Sequence, residues 1–82
     1  MIDLLIIADD FTGALDTAVQ FSKSSIETAV FLYKDLYLTC MDEKLQVVVV
    51  DTESRHVSGG EAARRVRETV QKAQKSGVRA FY

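Results

Sequence analysis

The chain alternates between short apolar stretches and longer segments with helical spacing. Residues 2–8 are rich in Ile and Leu, interrupted only by Asp3, and close on Asp9 and Asp10. A run that is apolar on both faces suits a buried parallel strand. From Thr12 the spacing becomes helical: Ala14, Leu15, Ala18, Val19 and Ser22 fall on one side, with Asp16, Gln20 and Lys23 opposite. Residues 26–33 carry the β-branched and aromatic side chains of a second strand. Residues 34–45 show no decisive period and fit a short irregular helix or an extended connection. Residues 46–50 give the clearest strand, and it too ends on an aspartate, Asp51.

A second helix carries its own start and stop signals. Ser58 followed by Glu61 has the spacing of a capping box. Ala62, Val66, Val70 and Ala73 form the stripe expected to be buried, while Glu61–Arg65 and Glu68–Lys72 are i,i+4 pairs on the wet side. Gly77 suits a left-handed helix stop, and Val78 to Tyr82 begins a fourth strand. The order is β-α-β-β-α-β. It predicts an α/β fold: a parallel β-sheet with helices packed on it, a Rossmann-like three-layer fragment with right-handed crossovers. There is no repeat, low-complexity tract or proline-rich linker. Because the last apolar strand runs to Tyr82, residues 1–82 are expected to be part of a larger domain.

Composition narrows the function classes. Hydrophobic content of 48% with 27% charged residues is that of a globular protein rather than a disordered one. A net charge of −2 provides no basic footprint, so neither nucleic acid nor an anionic membrane is an expected partner. The single cysteine, Cys40, excludes an internal disulfide and fits a small apolar filler in a reducing compartment. No apolar run approaches the roughly 20 residues needed to span a bilayer, and the N-terminus lacks the basic start of a signal peptide. A cytoplasmic protein is expected. An unpaired final strand leaves a sheet edge open to homo-oligomer formation by strand addition.

In an open parallel sheet, ligands bind outside the carboxyl ends of the strands. Two polar clusters are delivered there: Asp-Asp-Phe-Thr-Gly-Ala-Leu-Asp at 9–16 and Asp-Thr-Glu-Ser-Arg-His at 51–56. If the first and third strands are neighbours, about 4.8 Å apart, Asp9, Asp10 and Asp51 share one crevice. Each residue also has a simpler use. Asp10 or Thr12 can cap a helix, Gly13 can serve a tight turn, and Arg55 can pair with Asp51 or Glu53. Three carboxylates at one edge, however, repel unless something cationic or rich in hydrogen-bond donors lies among them. Paired aspartates disfavour a phosphate at the helix start, and no dinucleotide or P-loop glycine spacing is present. A polyhydroxylated molecule or a magnesium ion fits better, with Arg55 offering a planar fork to a substrate carboxylate. His56 reads as a loop or core-edge residue, and Phe11 and Tyr33 as packing residues.

These residues carry a resemblance. Ile-Ala-Asp-Asp-Phe-Thr-Gly-Ala-Leu-Asp resembles the opening ADD-x-TGA-x-D motif of the four-carbon acid-sugar kinases. The block from Val47 through Asp51, Thr52, Ser54 and Arg55 into the Glu-Ala-rich helix looks like that family's DT-x-SR block, so the resemblance spans nearly the whole chain. It implies a two-domain ATP-dependent enzyme, using ATP and Mg, that phosphorylates threonate, erythronate or oxo-tetronates on the terminal hydroxyl. The N-terminal domain would bind the sugar acid. Its substrate-site candidates are Asp9, Asp10, Thr12, Gly13, Asp16, Asp51, Thr52, Ser54 and Arg55; no catalytic residue or metal ligand is assigned. The resemblance also implies a lysine-, aspartate-, serine- and threonine-containing segment after the fourth strand and a C-terminal nucleotide-binding domain, and residues 1–82 are expected to hold neither. The 82-residue chain by itself is therefore expected to lack kinase activity.

The main rival is a phosphoacceptor receiver domain, with Asp9 and Asp10 binding Mg and Asp51 phosphorylated. Thr12-Gly13-Ala14-Leu15-Asp16 is foreign to that pattern. An aspartate-nucleophile phosphatase would want an acid where Phe11 stands. A pure interaction module would bind no small molecule at all.

Overall fold

The computed structural model describes residues 2–35, 44–78 and 80–82. Its elements are β1 (Leu4–Ala8), α1 (Phe11–Lys23), β2 (Thr28–Leu32), a 3-10 turn (Tyr33–Asp35), β3 (Val47–Asp51), α2 (Gly59–Lys75) and β4 (Ala80–Phe81). The strands form one parallel sheet in the order β2-β3-β1-β4. The two helical crossovers, β1 to β2 and β3 to β4, each skip a strand, and they run in opposite directions across the sheet. A single crossover hand then requires the two helices to lie on opposite faces.

That is where they pack. Ile6, Val47 and Val49 pack with Ala14 and Ala18 of α1, joined by Phe21, Ile26 and Val30. Leu5, Val48 and Val50 pack with Ala73 of α2, joined by Ile7, Phe31, Tyr33 and Val78. Alternate valines of β3 thus serve opposite layers, as the two-residue strand period demands. With neighbours on both edges and helices on both faces, β3 is buried throughout. The parallel α/β layout expected from the sequence is present.

Several finer expectations shift. On α1 the stripe rotates: Ala14, Ala18 and Phe21 turn inward, while Leu15 and Val19 remain 42% and 48% exposed and Ser22 is exposed. The two alanines let the helix lie close to β1 and β3, and Phe21, three residues beyond Ala18, continues the same face. Phe11, expected to pack, stands half exposed at the start of α1. On α2, Ala73 is buried but Ala62, Val66 and Val70 only partly so, and Thr69 takes a buried place. Its hydroxyl donates to the Arg65 carbonyl at 2.8 Å, which leaves no unsatisfied donor. Glu68 pairs with Arg64 at 2.8 Å instead of Lys72. Among the described residues the fourth strand is Ala80–Phe81, and Tyr82 is exposed. Tyr33, expected to end the second strand, instead opens the 3-10 turn Tyr33–Asp35, which runs into the ambiguous stretch at 34–45, and Cys40 falls outside the described residues.

Both helices stop by the same device. After α2, the Gly77 N–H donates to Gln74 and the Val78 N–H to Ala73, with Gly77 at φ +81°. After α1, the Ser25 N–H donates to Ser22 and the Ile26 N–H to Phe21, with Ser25 at φ 62°. Both are paired closures around a left-handed residue, which satisfy carbonyls of the last turn. Among the described residues no helix is long and apolar enough to cross a membrane.

Candidate functional site

The register of β1 against β3 sets Ala8 opposite Asp51. Because the strands are parallel, the segments that follow leave the sheet on the same edge. They are then bonded to one another. The Thr52 N–H and hydroxyl both donate to the Ala8 carbonyl, at 2.9 and 3.0 Å. The Ser54 and Arg55 N–H groups both donate to the Asp9 carbonyl, at 3.0 and 3.2 Å.

Asp10 ties the second segment to helix α1. Its Oδ1 accepts the Gly13 N–H at 2.7 Å, capping the helix, and its Oδ2 accepts from Arg55 Nη1 at 2.7 Å. The simple capping role therefore holds for Asp10, and Arg55 pairs with Asp10 rather than with Asp51 or Glu53 as the simple reading proposed. Gly13 suits this closeness, since a Cβ there would lie 2.9 Å from Asp10 Oδ1 and force the capping carboxylate to shift. Arg55 is 60% exposed, so its fork remains open to solvent beyond the bond to Asp10.

Asp51 is fully buried. Its Oδ1 accepts the Glu53 N–H at 2.8 Å, folding the chain into a turn that places Glu53 at φ 49°. Its Oδ2 is buried with no hydrogen-bond partner. An acceptor in that state costs free energy and calls for a donor. The neighbouring Glu53 carboxyl has its pKa raised, first by side-chain hydrogen bonding to Asp51 and then because the Asp51 charge opposes its ionisation. Thr52 is also buried, and its hydroxyl lies 2.7 Å from Ser54 Oγ.

The structure therefore brings together Asp9, Asp10, Asp51, Thr52, Ser54 and Arg55. Gly13 belongs to the cluster through its N–H. Thr12 and Asp16 stand exposed on α1, outside this network. His56 is an exposed loop residue, as expected. Among the described residues no group of three or more Asp, Glu, His or Cys side chains is placed to hold a metal ion, and no glycine-rich phosphate cradle is present. A shallow depression lined by Gln71, Gln74 and Lys75 sits at the far end of α2 from these strand tips and carries no such chemistry.

Sequence reasoning missed Arg65, which it placed on the wet side of α2. The residue is only 15% exposed at its side chain. Its Nη1 donates to the Thr52 and Glu53 carbonyls at 3.0 and 2.7 Å, its Nε donates to Glu61 at 2.7 Å, and its guanidinium lies 4.7 Å from the Tyr33 ring centre. The signal was its phase: Arg65 is four residues before buried Thr69 and eight before Ala73. Glu61 is accordingly turned toward Arg64 and Arg65 and not back to Ser58, so only half of the capping box forms, through Ser58 Oγ and the Glu61 N–H. The two arginines hold the Glu61 carboxyl at a pKa of about 2.

A family described as the sugar-binding N-terminal domain matches residues 4–82. The chain belongs to that family. It is 38% identical over 60 residues to a D-threonate kinase of Salmonella typhimurium, covering 73% of this chain and 14% of that protein. It is 38% identical over 68 residues to a D-erythronate kinase of Heliobacterium modesticaldum, covering 83% of this chain and 16% of that one. Against a D-threonate kinase of Bordetella bronchiseptica it is 33% identical over 79 residues, covering 94% of this chain and 20% of the relative. The chain thus spans at most about a fifth of these relatives' length. No solved structure gives a significant match. The resemblance to the N-terminal domain of four-carbon acid-sugar kinases is borne out by the family and by these names. The receiver alternative gains nothing from these comparisons.

Proposed function

We propose that this chain is the sugar-acid-binding part of an ATP-dependent kinase that phosphorylates a four-carbon acid sugar on its terminal hydroxyl. The observation that carries the reading is the convergence of two acidic strand tips on one sheet edge, with a buried acceptor, Asp51 Oδ2, that lacks a donor. A sugar hydroxyl is such a donor, and carboxylates accept hydroxyl hydrogen bonds without competing as donors. The exposed fork of Arg55 suits the substrate's own carboxylate. Asp9, Asp10, Thr12, Gly13, Asp16, Asp51, Thr52, Ser54 and Arg55 make up the proposed contact set, with Thr12 and Asp16 at its outer side.

Among the described residues no group of three or more Asp, Glu, His or Cys side chains is placed to hold a metal ion. In this reading ATP and magnesium are held by other parts of a longer polypeptide, and no phosphoryl-transfer step is assigned to these residues. Phosphoryl transfer depends on positioning and charge stabilisation around the nucleotide. The 82-residue chain should therefore bind a tetronate without turning it over. A coupled ADP-release assay with D-threonate and D-erythronate tests this, and turnover by the purified chain would contradict the division of labour.

A further inference from the structure

Arg65 joins three elements around the loop that carries Thr52, Ser54 and Arg55. From α2 its Nη1 reaches the carbonyls of Thr52 and Glu53, at 3.0 and 2.7 Å. Its Nε is held by Glu61, itself on α2, and its flat face lies over Tyr33 in the turn after β2. Those carbonyls belong to the two residues that leave β3, and the second sits in left-handed backbone at φ 49°. A glutamate there is strained, and such a conformation persists only where its surroundings hold it. From below, Asp51 Oδ1 takes the Glu53 N–H; from the side, Asp9 takes the Ser54 and Arg55 N–H groups. Arg65 supplies the contacts from the helix layer.

We propose that Arg65 is a positioning residue: it fixes the loop after β3 so that Thr52, Ser54 and Arg55 face the ligand, without touching the ligand itself. This rests on the proposed sugar-acid site. The guanidinium is suited to the task because its donors are set in a rigid plane, so one group serves a carboxylate on one edge, two carbonyls on another and an aromatic ring on its face. A lysine at the same position keeps the charge but offers a point donor, and it cannot make these contacts together.

The test uses Arg65→Lys, Glu61→Gln and, as a control on the exposed side of the same helix, Arg67→Lys. Amide exchange of Glu53, Ser54 and Arg55 is measured alongside the affinity for D-threonate and D-erythronate and the melting temperature. Arg65→Lys is expected to speed exchange at those three amides by about tenfold or more, as loss of charge-assisted hydrogen bonds implies. Tetronate affinity should fall by a similar factor, with exchange in β1 and the rest of β3 unchanged. Glu61→Gln, which frees the Nε side only, should shift the same amides in the same direction by less, and Arg67→Lys should shift none. If Arg65→Lys fails to fold, Glu61→Gln decides by the same pattern. Uniformly faster exchange across the sheet, or no change at the loop, would overturn the positioning role. If the parent chain binds neither tetronate, the sugar-acid reading fails while the exchange data still decide what Arg65 does.

Discussion

Arg55 Nη1 and Asp10 Oδ2 lie 2.7 Å apart, across a sequence separation of 45 residues, while the other Asp10 oxygen caps helix α1. One carboxylate thus ends a strand, starts a helix and anchors the arginine delivered by the neighbouring strand. Arg55 is 60% exposed and Asp10 25%, so solvent screens the pair, its own contribution to stability is small, and its consequence is geometric.

The two functions of Asp10 separate by substitution. Asp10→Asn retains a capping oxygen but loses the charge, so stability should change little. Asp10→Ala removes the cap and should cost about 1 kcal/mol. Chemical denaturation distinguishes them, and both variants should weaken tetronate binding because both release Arg55. Equal stability losses for the two variants would contradict the capping role.

The two helix stops differ in one respect that can be measured. Gly77 takes the left-handed position without a side-chain penalty, whereas Ser25 bears one at φ 62°. Ser25→Gly relieves that strain at some entropic cost in the unfolded chain. A net gain of up to about 1 kcal/mol is expected, seen as a higher denaturant midpoint with unchanged slope.

Two glutamates should respond to pH with opposite sign. The Glu61 carboxyl, held down at about 2 by Arg64 and Arg65, contributes stability that is present above its unfolded value of 4.5 and fades as pH falls from there through about 2. Glu61→Gln should therefore melt lower than the parent near neutral pH and converge with it in strong acid. Glu53 is raised above 4.5 by its hydrogen bond to Asp51 and by the Asp51 charge, so folding favours its protonated form. That contribution is present below 4.5 and lost as pH rises through the folded value. Glu53→Gln should melt higher than the parent near neutral pH, with the gap closing below 4.5. Melting curves across pH check both signs.

Much of this architecture is legible in the residues. The unbroken Val47–Val50 run gave the clearest strand and is buried throughout, and each apolar run that ends in aspartate marks a strand leaving the sheet at its carboxyl edge. Adjacency of the first and third strands was a condition in the sequence and is a fact of the pairing. What sequence could not give was the rotation of α1, because two neighbouring stripes, Ala14–Ala18–Phe21 and Leu15–Val19, are both apolar and only the packed sheet chooses between them. The burial of Asp51 and the reach of Arg65 were hidden for a related reason. A charged residue reads as exposed until a backbone turn and an aromatic ring are found beside it.

Central to the account is that the tips of β1 and β3 together receive an acid sugar. Isotope-labelled chain titrated with D-threonate and D-erythronate tests it most directly, with backbone amide shifts followed residue by residue. Saturable shifts confined to residues 9–16 and 51–55, lost in Arg55→Ala, are the expected result. Saturable shifts centred elsewhere, such as Gln71, Gln74 and Lys75, or no shifts with either acid, would contradict it.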